Sequence, residues 1–536
     1  MSTTEELFRS YLDLRWHFDP PAASAAGVTA SDDRLGDFTP GAMRAHLAAF
    51  RSIAGAVEQL EVDDAREEIE RTAFLDEVRI TIARFERERP HVHDPGFWLS
   101  HLLAGYHTLL RRRYGTPAER ARGLFGRIRA TPGFLKGARE TLHDPPRIFL
   151  ETAQKMAAAA PRLLADAAAA VRAGAPELAE PLEAAFAEAD AALARFTVAL
   201  RGDLAAHHDD LSFAIGEDQF NRRLHHEHAL RAGAPELYRY GLRLVEAVAA
   251  EVEGLARQID PAVPWRTVVE RLRSRYAVRS DLRAAFRDAV ERARSFLEAR
   301  QLVSIPEGDL EVIETPDFLR PLLPFAAYDP PGPYAPERTG TLYVTTPRPG
   351  EAPAHDPHGM LEIAATAVHE TWPGHHLQML TAQAQPSEIR RVLWTPITVE
   401  GWALYCEELM AEQGFFASLE ERLFQRLHLL WRALRIVLDV GLHTRGMTPD
   451  QAMDLLVDRV GMDRSQAEAE VSRYCAWPTY QLCYAVGRRE ILQLRDAWRA
   501  RAGPGGELRE FHDAFLAWGG LPVSLIRWGM GLGIDE

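Results

Sequence analysis

Cysteine is nearly absent. The 536 residues hold three, Cys406, Cys475 and Cys483, and no C-x-x-C pair, which excludes a disulfide framework and suits buried thiols in a reducing compartment. No apolar run approaches the ~20 residues needed to span a membrane. The opening Met1–Leu7 segment lacks a basic region followed by an apolar core, so no export signal is read and the cytoplasm is the expected location. Excess positive charge is missing too. A formal charge of −15 argues against nucleic-acid binding, which needs basic surface.

What remains is the make-up of a large globular protein, 46% hydrophobic and 26% charged, with ample chain for a core. From Met43 to about Ala299, apolar residues recur at helical spacing among Ala, Leu, Glu and Arg, which predicts packed helices. The phrase Arg-Ala-Gly-Ala-Pro-Glu-Leu occurs at Arg172–Leu178 and again at Arg231–Leu237. In each copy Gly is expected to end one helix and Pro to begin the next.

The texture changes between Ser304 and Pro357. Tyr328–Tyr334 is dense in Pro and reads as loop, and Thr339–Thr346 has strand character. Three regions are therefore expected: helical 1–303, a Pro-rich loop and strand segment 304–357, and helical 358–536, the first and last forming one catalytic unit. The fold class expected is mainly α, with a small β-hairpin or sheet before the helix that carries His369.

Val368-His369-Glu370-Thr371-Trp372-Pro373-Gly374-His375-His376-Leu377-Gln378 is the densest cluster of metal-ligand chemistry in the chain. Two imidazoles and a distant carboxylate can hold zinc, and a Glu beside the first His is placed to activate a metal-bound water. The interval is not that of H-E-x-x-H, because His375 and His376 come six and seven positions after His369. On a straight helix seven residues rise ~10 Å, too far for one ion. The site therefore requires Trp372-Pro373-Gly374 to bend the chain back. Glu400 offers the distant carboxylate, and Glu407, seven residues on, lies on the same stripe. One of them can bind the metal while the other orients a histidine.

These residues, with Glu400-Gly401-Trp402-Ala403-Leu404-Tyr405, Leu434–His443 and Tyr484–Ile491, resemble the bacterial family called domain of unknown function 885. The resemblance is specific over Gly340–Arg495. It implies kinship with zincin-like peptidases of the Glu-ligand type and a helical fold with a deep cleft, similar to Taq-type carboxypeptidases and thimet-type oligopeptidases. It makes His369 and Glu400 zinc ligands and Glu370 the general base, and it favours His375 over His376 as second ligand. Thr345 and Met447 depart from the family pattern without touching these positions.

Other residues are candidates for roles beside the metal. Tyr480, Tyr484 and His443 are expected to stabilise an oxyanion there, with Asp439 holding His443 in one tautomer. Arg488 suits a terminal carboxylate. Thr339–Thr346, with Tyr343, reads either as an edge strand aligning an extended substrate, as in zincins generally, or as a structural hairpin. His207-His208 and His225-His226-Glu227-His228 read as solvated or helix-end histidines. The resulting expectation is a zinc metallopeptidase acting on peptides. Hydrolysis of another amide or ester, and a non-catalytic metal- or peptide-binding protein, are the alternatives.

Overall fold

The computed structural model describes residues 3–204, 211–277, 281–316, 319–320, 323, 325–346 and 359–533. His207-His208 and Pro357 lie outside them. The chain forms two compact units, one of residues 1–213, 316–321 and 332–337, the other of 214–315, 322–331 and 338–536.

Helices begin earlier than the periodicity suggests. Thr3 and Glu6 form a capping box that opens a helix over Thr4–Phe18, a signature present in the sequence as Thr-x-x-Glu. In the first unit, long helices Pro117–Thr141, Arg147–Gly174 and Ala179–Arg201 pack together. Ala153, Ala157, Ala160 and Ala167 are buried, as are Leu163, Leu164 and Leu193, so the Ala-rich stretch is close-packed helix.

The repeated phrase has two structural outcomes. Gly174 does end the helix Arg147–Gly174. Gly233, by contrast, is the cap before Ala234–Ile259, and the preceding helix already stops at His226. Only the Pro half of the expectation holds in both copies, because Pro fixes φ locally while a helix end depends also on the packing of its neighbours.

The second unit carries a three-stranded mixed sheet: β1 (Asp309–Glu314), β2 (Ala326–Asp329) and β3 (Thr339–Val344), in the order β1-β3-β2. β3 pairs in parallel with β1 and antiparallel with β2. The predicted strand is thus the middle one, and its backbone is taken on both sides. It cannot accept a substrate strand, and Tyr343, 2% exposed, belongs to the core. β2, not foreseen because Pro surrounds it, is an edge.

Five helices of this unit position the site: Met360–Glu370, His375–Gln383, Pro396–Glu412, Leu419–Thr444 and Cys483–Ala502. Pro396–Glu412 and Cys483–Ala502 cross at a pair of glycines. A Cβ on Gly401 would lie 2.6 Å from the Gly487 Cα, and one on Gly487 would run into the Ile397 carbonyl. Only glycine lets the two backbones meet.

No helix of the described residues is long and apolar enough to cross a membrane. All three cysteines are buried and unpaired.

Candidate metal centre

The expected bend is present. Met360–Glu370 ends at Thr371, and His375–Gln383 starts after Gly374. The Gly374 N–H reaches back to the Val368 carbonyl at 3.1 Å. A Cβ on Gly374 would overlap the His369 carbonyl, so the turn demands glycine there. The Trp372–Pro373 peptide is cis. Trp402 fastens the turn to the helix bearing Glu400: its indole N–H donates to the Pro373 carbonyl at 2.9 Å, and its ring stacks on Phe515.

This geometry brings one imidazole from each side of the turn together over Glu400. Glu400 Oε2 lies 3.5 Å from His369 Nε2 and 3.3 Å from His375 Nε2. The two rings stand nearly perpendicular, 4.9 Å between centroids. Among the described residues, His369, His375 and Glu400 are the one group of His, Cys, Asp or Glu side chains whose ligand atoms converge, within 4.8 Å of one another, as a metal would require. All three are buried, at 3, 8 and 6% exposure. Yet Glu400 Oε2 has no hydrogen-bond partner of good geometry. A buried carboxylate oxygen facing two ring nitrogens without hydrogen-bonding either is costly unless a cation sits between them.

His369 is held in the tautomer that a metal needs. Its Nδ1–H donates to Glu407 Oε1 at 2.8 Å, which leaves the Nε2 lone pair facing Glu400. Burial alone disfavours charge on His369, but Glu400 and Glu407 outweigh it and raise the group to about 9. Burial likewise opposes ionised Glu400, yet the His369 and His375 rings hold it well below the usual carboxylate range. The two shifts are the two sides of one buried carboxylate–imidazole interaction.

Around the three lie most of the other expected residues. Tyr480 Oη donates to Glu400 Oε1 at 2.5 Å. The Tyr484 ring stacks on His369, 6.0 Å away and 16° from parallel, with the Arg435 guanidinium 4.6 Å from its centroid. Burial pushes both phenols up, so they stay protonated. Glu370 is half-buried and accepts the Tyr328 backbone N–H at 3.2 Å.

Four expectations are corrected. His376 is not in the metal group; its Nδ1 lies 2.9 Å from Tyr328 Oη, and burial pushes it down to about 3. His443 bonds through Nε2 to the Tyr474 carbonyl, while the Asp439 carboxylate accepts the Thr479 and Leu482 amides; the expected pairing gives way to backbone partners. Arg488 pairs with Glu408, which also binds Arg426. His228 follows the end of the helix Gly216–His226 but is not solvated, being buried between the hydroxyls of Thr395 and Thr479 at 3.0 Å each.

Residues that sequence reasoning missed include Tyr328, hidden in a Pro-rich stretch, and Trp477. The latter is 49% exposed and packs on Tyr480 at 5.6 Å.

The family model described as "Bacterial protein of unknown function (DUF885)" matches residues 20–530. Among solved structures, a "putative lipoprotein of unknown function" from Shewanella oneidensis is similar at 21% identity and a TM-score of 0.81, covering 99% of this chain and 100% of that one. A "putative lipoprotein" from Colwellia psychrerythraea is similar at 18% identity and a TM-score of 0.85, with 99% of each chain covered. No curated protein matches the chain.

Proposed function

The chain belongs to the DUF885 family, and we propose that it is a zinc-dependent metallopeptidase of carboxypeptidase or oligopeptidase type. The observation that carries this reading is the unsatisfied Glu400 oxygen between two imidazole nitrogens, with Glu370 next in sequence to the first of them. His369, His375 and Glu400 match the three-protein-ligand His-His-Glu donor set of catalytic zinc. Bound zinc supplies Lewis acidity to a scissile carbonyl and to water.

The chain's own groups do the rest. Glu370, the more open acid, takes the proton of the attacking water and returns it to the leaving amine. Glu407 keeps the His369 ring in register and in one tautomer. Tyr480 orients Glu400 through its hydroxyl. Tyr484, kept protonated by burial, is the donor for the developing oxyanion.

The outer edge of β2 supports a peptide as substrate. The Thr345 N–H bonds to the Phe325 carbonyl, so in the alternation of an antiparallel ladder Ala326 and Tyr328 direct their backbone groups away from β3. An extended chain laid beside β2 would find the Ala326 N–H and C=O and the Tyr328 C=O. The descriptions of the two structural relatives as lipoproteins favour the bacterial envelope over the cytoplasm expected from the N-terminal residues.

The test is zinc content and cleavage of a mixed peptide library, read together by mass spectrometry. Wild type is expected to hold one zinc and cleave. Glu370→Gln is expected to keep the zinc and lose at least about a hundredfold in kcat. An active Glu370→Gln, or a wild type that binds no zinc, would sink the proposal.

A further inference from the structure

The histidine beside the proposed ligand His375 has partners of its own. His376 is fully buried, with its ring edge-on to Trp372 at 4.6 Å and its Nδ1 on Tyr328 Oη. The Arg294 guanidinium stacks over Trp372, 5.4 Å from its centroid. The His376–Tyr328 contact sits directly on the backbone of β3. A Cβ on Gly340 would lie 2.7 Å from His376 Nδ1 and would overlap the Tyr328 hydroxyl. The sheet thus keeps a glycine where the two side chains meet.

Tyr328 is also the residue whose backbone N–H donates to Glu370 Oε2. That N–H points away from β3 by the register of the antiparallel pair, so β2 presents it to the helix Met360–Glu370 as the pair Tyr328–His376 dictates. One side chain therefore fixes the lateral position of the edge strand, and one backbone N–H passes that position to a carboxylate.

We propose that His376 and Tyr328 form a pin that seats the edge strand β2 against the metal turn, so that the Tyr328 N–H holds the Glu370 carboxylate in its working orientation. Both are positioning residues. The adjacent histidines then divide the work: His375 faces the metal, and His376 faces the strand. The proposal rests on the reading of Glu370 as general base for its catalytic consequence. Its structural half stands independently.

The test uses the full chain loaded with zinc, in the variants Tyr328→Phe, His376→Leu and His376→Asn. Tyr328→Phe removes one hydroxyl and keeps the backbone and the packing. Asn can still present a polar atom near the Nδ1 position, and Leu cannot. Amide hydrogen exchange across Ala326–Asp329, measured without substrate, is expected to accelerate about tenfold or more in Tyr328→Phe and His376→Leu. Asn should recover much of the protection. Zinc content should stay at the wild-type level in all three. With a cleaved peptide, kcat should fall about 10- to 100-fold in Phe and Leu, with KM within about twofold.

Unchanged exchange in Tyr328→Phe overturns the pin whatever the activity. Loss of zinc from His376→Leu overturns it too, by making His376 a ligand. If the strand loosens while kcat holds, the link to Glu370 is wrong. If wild type cleaves no peptide, the exchange data still decide the pin, and only the peptidase reading falls.

Discussion

Each unit of the molecule buries a polar cluster, and the two are completed differently. In the first, Arg127 is fully buried, yet its donors reach the Arg34 and Gly105 carbonyls and the Ser24 hydroxyl. Ser24 in turn donates to Asp32 at 2.6 Å, and Asp32 meets Arg112 at 2.6 Å. A guanidinium thus meets a carboxylate directly. In the second, two carboxylates face two imidazoles, and a Glu400 oxygen is left over. A cluster that carries its own guanidinium on the carboxylate holds a fold together, whereas a carboxylate whose free oxygen faces imidazoles has a place for a cation.

Breaking that contrast most severely, Glu400→Ala should abolish zinc retention on dialysis, read by elemental analysis, and catalysis with it. Asp32→Asn attacks the first cluster and should cost about 3 kcal/mol in urea unfolding by stranding the Arg112 charge. It should leave zinc content untouched; a loss of zinc there would erase the distinction between the clusters. Glu407→Gln sharpens the comparison from inside the metal centre. It keeps a hydrogen-bond acceptor for His369 but removes the charge, and zinc affinity by competition titration should weaken about 10- to 100-fold.

The smallest effect at neutral pH concerns the acid limb. Glu470 is buried; burial alone would raise it, but Arg473 and Arg435 bring it to about 2. A lowered carboxylate contributes stability that is present above its ordinary value of 4.5 and lost as pH falls through about 2. In the first unit Asp94 behaves oppositely, raised by burial to about 6. Its contribution is present below 3.8 and lost as pH rises through about 6. Asp94→Asn should therefore flatten the dependence of urea unfolding between pH 4 and 6 (roughly that window), and an unchanged profile would remove Asp94 as its source.

Much of the site was legible before the fold. The six-residue interval from His369 to His375, with Pro373 and Gly374 inside it, demanded a bend, and Gly374 is where the backbone turns back on His369. Glu400 and Glu407 shared a helical stripe, and they divide into the metal group and the hydrogen bond to His369. Roles that depend on neighbours distant in sequence were not legible. His443 and Asp439 sit one turn apart yet bond to separate backbone groups, because the Asp439 carboxylate meets the amides of Thr479 and Leu482. Thr339–Thr346 looked like a strand, and Thr339–Val344 is one, but whether a strand is edge or centre depends on its partners across the sheet.

The sequence by itself determined that the chain is mainly helical and which residue types gather at His369–His376. These features arise from local periodicity, propensity and composition, which act within a few turns of chain. Only the tertiary structure decided which of two neighbouring histidines joins Glu400, which strands lie at the sheet edges, and that Tyr328 reaches both Glu370 and His376. Those contacts join residues 42 and 48 positions apart. No local rule spans that distance; packing does.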